Sequence, residues 1–235
     1  MKSLLIAPAL AAAALLAPLT SFASPDLLFE TGSGDVGMEA AACPDVLRDL
    51  GRVRSLPLLF ECMDFYFLNP DLDPQPASFN APIRIGYRIL QIDPHHADTY
   101  GNVAWMLWSK WSNWKEDPSR MPDGAAKLDE AVALLDKGAT LNPRSAEYFI
   151  SAGNTLFPVA RNFDASVYPR VILWFQNADR LLPHGDRRQI RVRLDLGHIH
   201  KLTGRIPEAR RYYQAVLEID PQNRVAKRAL ELLEP

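Results

Sequence analysis

The feature that most constrains this 235-residue chain is a helix stop that recurs along it. Ile92-Asp93-Pro94, Leu141-Asn142-Pro143, Leu181-Leu182-Pro183 and Ile219-Asp220-Pro221 each set an apolar residue two positions before a proline. Proline lacks the N–H that the helical ladder needs, so each triplet ends a helix. The four prolines lie 49, 40 and 38 residues apart. Intervals of that size hold a pair of helices and their connections. Such a pair cannot bury its own apolar face and needs like neighbours to stack on.

The last interval is the most regular. Leu196-Gly197, His200, Gly204, Ala209, Tyr213 and Pro221 mark two amphipathic helices joined at Gly204. Small Gly197 and Ala209 let the paired helices approach, and Tyr213 fills the space beside them. At these spacings residues 195–223 resemble a tetratricopeptide repeat (TPR), a helix-turn-helix unit of about 34 residues. Weaker copies precede it. Tyr100, Val103-Ala104 and Leu107 follow Pro94, and Phe149, Ala152-Gly153 and Leu156 follow Pro143. Ala131, Leu135 and Gly138 precede Pro143 at the offsets by which Val171, Phe175 and Ala178 precede Pro183. The extra residues fall in two connections, KEDPSRMPDG and RNFDASVYP.

The resemblance implies an all-α fold, a right-handed solenoid of TPR-like repeats over residues 80–235. A half repeat at Asn80 to Ile92 fronts it, with Asn80 as helix cap and Ile83, Tyr87 and Leu90 on one face. At the other end Val225, Ala229 and Leu232 line one side of a closing helix, a solvated cover for the array.

Ahead of the array, residues 1–23 read as a secretory signal peptide: Lys2, an apolar run from Leu4 to Leu19, and a small-x-small site at Ser21-Phe22-Ala23. Pro8 and Pro18 interrupt that run, and it is short for a bilayer span. Residues 24–42 read as a flexible lead with Gly32, Gly34 and Gly37. Residues 43–79 read as an N-terminal helical segment, with helices near 44–55 and 57–68. Export permits a disulfide between Cys43 and Cys62, the only cysteines. In the chain-entropy description it would stabilise by roughly 3 kcal/mol. A symmetric hairpin of those two helices opposes it, because Cys43 would then face the far end of the second helix. The bridged pair is the expectation.

Trp105, Trp108, Trp111 and Trp114 recur at intervals of three. The run W-S-x-W-S-x-W also resembles thrombospondin type 1 modules, but these are β-rich and need cysteines after the motif; none follows here. On a helix the four divide. Trp111 and Trp114 continue the buried stripe of Tyr100, Val103 and Leu107, while Trp105 and Trp108 continue the stripe of Asp98 and Gly101. In TPR proteins that second stripe lines the concave groove. Carried along the array, it adds Asn154 and Phe157, then Arg191, His198 and Lys201. The resemblance therefore implies a partner-binding groove of Trp105, Trp108, Asn154, Phe157, Arg191, His198 and Lys201. All four tryptophans as plain core is the alternative.

The formal charge of −2, or −3 once Lys2 is removed, gives no ground for a nucleic-acid partner or stable membrane insertion. His198 and His200 point about 200° apart on a helix and cannot share a metal. Asp93, His95, His96 and Asp98 read as an ordinary turn between repeats. No P-loop, G-x-S-x-G or H-E-x-x-H pattern occurs, so neither catalysis, metal nor cofactor is expected. The expected function is that of an exported, periplasmic or secreted scaffold holding a peptide or protein. Alternatives are a glycan or small-ligand binder using Trp105 and Trp108, or a non-catalytic subunit of an envelope enzyme.

Overall fold

A computed structural model describes residues 42–73, 79–119 and 121–233. The expected signal peptide and all of the lead but Ala42 lie outside the described residues. Ten α-helices and two 3-10 turns make up the described chain, and no strand occurs among these residues. The helices are α1 (Cys43–Arg48), α2 (Leu56–Leu68), α3 (Asn80–Ile92), α4 (Ala97–Glu116) and α5 (Lys127–Leu141), then α6 (Ala146–Asn162), α7 (Tyr168–Leu181), α8 (Arg187–Leu202), α9 (Ile206–Ile219) and α10 (Arg224–Glu231).

Helix starts follow the local chemistry. His96, Ser145, Asp186 and Asn223 each accept a hydrogen bond from an N–H in the first turn of α4, α6, α8 and α10. Pro44, Pro57, Pro169 and Pro207 sit in first turns, where a missing N–H costs nothing. Asn80 does not cap α3 as expected. The Asp73 carboxylate, eight residues upstream, accepts from Ala81 N–H at 2.8 Å, and Phe79 stands before the helix in the left-handed region at φ 53°. The Asn80 side chain instead accepts from Lys110 Nζ at 2.6 Å.

The antiparallel pairs α4/α5, α6/α7 and α8/α9 pack as the three expected repeats. The small-residue logic holds in detail. A Cβ on Gly197 would lie 2.6 Å from the Tyr213 ring, and one on Gly153 would lie 2.5 Å from Phe175. The front half repeat is not unpartnered, because α2 packs along α3 and makes a fourth pair. Thus α3 is apolar on two sides: Ile83 and Leu90 join the main core, while Ile85 and Ile89 join a front core with Leu59, Met63 and Tyr66.

Two expectations at the ends need correction. The first helix stops at Arg48, not near residue 55, and the chain turns back over residues 49–55. That shortening removes the geometric objection to the bridge, and Cys43 is bonded to Cys62 with Cα atoms 5.2 Å apart. On α10 the face turned to α9 carries Ala226 and Ala229, with Leu230 and Leu233 beside them. Val225 and Leu232 lie off that face, 50% and 56% exposed. Ala229 alone of the expected stripe is buried, since the helix is rotated to set small residues against Tyr213 and Val216.

Candidate partner-binding groove

The candidate groove lies on the first helices of the three repeats, α4, α6 and α8. The register between α4 and α6 is set at Gly101, where a Cβ would come 2.7 Å from Ser151 Oγ. Helical periodicity then carries Trp105 and Trp108 along the same side of α4. Tyr100, Val103 and Leu107 are fully buried, and Trp111 is 8% exposed, as its stripe requires. Trp114 is half-buried and closes against Gly124 of the long connection.

Trp105 and Trp108 are half-buried, their ring centroids 6.0 Å apart and edge-to-face. They sit within a longer aromatic strip. Phe67 and Phe79 contact Trp105 at 5.7 and 5.8 Å, and Phe163 contacts Trp108 at 6.3 Å and Trp111 at 6.0 Å. Edge-to-face rings at these distances attract through their quadrupoles, so the strip has cohesion of its own. Trp108 Nε1 is buried with no hydrogen-bond partner. An indole N–H withdrawn from water without an acceptor is costly, and such groups call for an explanation.

On α6, Asn154 is exposed and Phe157 half-buried. Pro158 follows inside the helix and cannot supply the N–H that the Asn154 carbonyl would otherwise accept. The residues 151, 155 and 158 share the side that meets α4 at Gly101. A carbonyl without its helical donor and an indole without its acceptor thus occur on neighbouring helices.

The α8 end differs in character. Arg191 is exposed and its Nε donates to Asp195 Oδ2 at 2.9 Å. Burial pushes the Asp195 carboxyl up, against the pull of Arg191 and His198. The exposed His198 ring meets Leu194 O at 2.7 Å and the Tyr213 hydroxyl at 3.2 Å through Nδ1. Lys201 is exposed. Other cations there are neutralised in place: Arg193 by Asp179 at 2.8 Å, and Arg188 by Asp186 and Glu147. Among the described residues no ring contact or hydrogen bond joins this basic cluster to the tryptophan pair. Trp105 and Trp108 lie on α4, Asn154 and Phe157 on α6, and Arg191, His198 and Lys201 on α8.

Three aromatic members escaped the sequence reading. Phe67 ends α2, Phe79 precedes α3 and Phe163 follows α6, so none belongs to the periodic stripe on α4 that marks the tryptophans. Lys110 was also missed. It is 1% exposed and paired with Asp123 Oδ2 at 2.6 Å, tying the long connection after α4 to α3. His96 caps α4 and packs at a tilt against Phe60, ring centroids 4.7 Å apart, while His95 reaches Leu141 O at 3.1 Å. Among the described residues no group of three or more His, Cys, Asp or Glu is placed to hold a metal.

Comparison with known proteins gives one family match, the tetratricopeptide repeat, over residues 191–223. No curated protein matches the chain. Among solved structures, the MamA protein is 18% identical, with a TM-score of 0.48 over 75% of this chain and 79% of its own. TTC0263, a thermophilic TPR protein of Thermus thermophilus, is 16% identical, with a TM-score of 0.49 over 83% of this chain and 88% of its own.

Proposed function

We propose that this tetratricopeptide-repeat protein, whose matched repeat spans residues 191–223 of an all-α array, is an exported scaffold that holds a peptide or protein along α4, α6 and α8. TPR domains generally bind protein partners, and the aromatic strip is the observation that carries the reading here. Trp105 and Trp108 keep part of their surface in solvent, and the buried Trp108 indole has no acceptor of its own. An extended segment offers the exposed part of these rings the apolar contact that water does not. The Cys43–Cys62 bridge supports export, because disulfides persist in oxidising compartments.

The test is photocrosslinking from Asn154, exposed beside the strip, in cells that export the protein. A discrete crosslinked partner is expected, and Trp105→Ala should weaken its capture by about 2 kcal/mol or more, as for a buried aromatic anchor. Trp111→Ala should instead destabilise the fold by about 3–5 kcal/mol. If Trp105→Ala unfolds the protein as badly as Trp111→Ala, the strip is core and the groove reading fails.

The same half-exposed ring pair favours one second reading, a glycan stacked on Trp105 and Trp108. Soluble oligosaccharides would then quench tryptophan fluorescence saturably without any protein partner.

A further inference from the structure

We propose that the free end of the last helical pair is a docking surface for an anionic lipid bilayer. The turn between α8 and α9 is a rigid point. Gly204 takes φ 73°, its N–H donates to Lys201 O at 3.1 Å, and Arg205 N–H donates to His200 O at 2.8 Å. Thr203 Oγ1 donates to Ile199 O at 2.9 Å. The backbone there is satisfied within the chain, and the closed turn needs no further partner.

What projects from this turn is apolar. Leu202 is 56% exposed and Ile206 is 37% exposed. A third apolar side chain arrives from elsewhere in the sequence. Arg210 Nη2 donates to Leu233 O at 2.8 Å, which fixes the end of α10 beside the first turns of α9. Leu232, 56% exposed, is the chain neighbour of Leu233 in that bond. Large apolar side chains gathered at one end of a hairpin mark a surface that meets something other than water.

The charge around them selects the occupant. Lys201 and Arg205 flank the turn, both exposed, and neither has a carboxylate partner among the described residues. Residues 201–211 carry four Lys and Arg against one Glu, in a chain of net charge −2. A projecting tip cannot enclose a peptide as a groove does. It can lower Leu202 and Ile206 to the acyl boundary of a bilayer while Lys201 and Arg205 meet the phosphates. No described helix is long and apolar enough to cross a membrane, and the proposed contact is a peripheral one.

The full chain with its disulfide intact is sedimented with vesicles of phosphatidylglycerol in phosphatidylcholine and with pure phosphatidylcholine vesicles. Salt-sensitive binding to the anionic vesicles alone is expected. Two cations near an anionic surface together contribute roughly a 25-fold gain, so Lys201→Glu with Arg205→Glu should weaken binding by at least that factor. Leu202→Ser with Ile206→Ser should also weaken binding to the anionic vesicles. Far-UV circular dichroism and melting of each variant should match the parent, since all four positions are exposed. Lys137→Glu with Arg144→Glu changes the net charge equally at exposed positions elsewhere and should leave binding intact. Equal weakening by that control pair overturns the proposal, as does failure to bind anionic vesicles. Concentration-dependent self-association lost in the tip variants, without vesicle binding, overturns it in favour of a contact between copies.

Discussion

The two ends of the described chain are held together in different ways. At the front, α1 to α3 gather around a covalent link between Cys43 and Cys62, with a core of Leu59, Met63, Tyr66, Ile85 and Ile89. At the rear, α8 to α10 close around Ala209, Tyr213, Val216, Ala226 and Ala229, of which Ala209 and Tyr213 stand at the repeat spacing. The rear needs no bridge, because Gly197 and Tyr213 fit one another and each helix packs on the one that follows it in the chain. The front adds a bond that shrinks the unfolded ensemble. One end closes by shape alone, the other by shape and a covalent constraint.

The largest effect should come from breaking that fit at the rear. Tyr213 is fully buried against Gly197, so Tyr213→Ala should cost about 3–5 kcal/mol in urea unfolding. A cost below that of an ordinary surface substitution would show that the rear closes by other means.

Removing the front constraint comes next. Cys43→Ser with Cys62→Ser should cost roughly 3 kcal/mol and loosen α1 and α2. Amide exchange in α8 and α9 should stay near the parent rate, since neither cysteine touches the rear core. Loss of protection at both ends together would mean that the array unfolds as one unit and the comparison is too sharp.

A smaller effect is expected at the junction of α9 and α10. Asn223 caps α10, its side-chain oxygen accepting from Ala226 N–H at 3.1 Å. Asn223→Ala should cost about 1 kcal/mol, read as a lower melting temperature with Tyr213 fluorescence affected before the front.

The smallest effect is a dependence on pH confined to the rear. His200 is buried, stacks on Tyr212 at 5.3 Å and has both ring nitrogens without partners. Burial lowers its pKa below the usual histidine range, helped by Arg205 and Arg211 and opposed by Glu208. The folded state therefore keeps the ring neutral while the unfolded chain protonates first. Stability is full above the ordinary pKa near 6.5 and falls as pH drops through it toward the lowered folded value. His200→Phe keeps the stacking and should flatten this acid limb without loss of stability at neutral pH. An unchanged acid limb would assign the dependence to carboxylates instead.

By itself the sequence determined what short-range chemistry can determine. The proline stops set where helices end, and the offsets of Gly197, Ala209 and Tyr213 set how the last pair closes. The stripe of Tyr100, Val103, Leu107 and Trp111 marks a buried face, and periodicity alone distinguishes it from Trp105 and Trp108. Each of these is a statement about one helix or one adjacent pair. The tertiary structure decided whatever depends on residues brought from a distance. It paired α2 with α3, capped α3 from Asp73, and added Phe67, Phe79 and Phe163 to the tryptophans. It also buried Lys110 against Asp123 and rotated α10 so that Ala226 and Ala229 face inward while Leu232 faces out. A helical period says which side chains share a face, but the neighbour that covers that face is chosen by packing across the whole array, where one methyl group or one short loop changes which surface is closed and which is left to solvent.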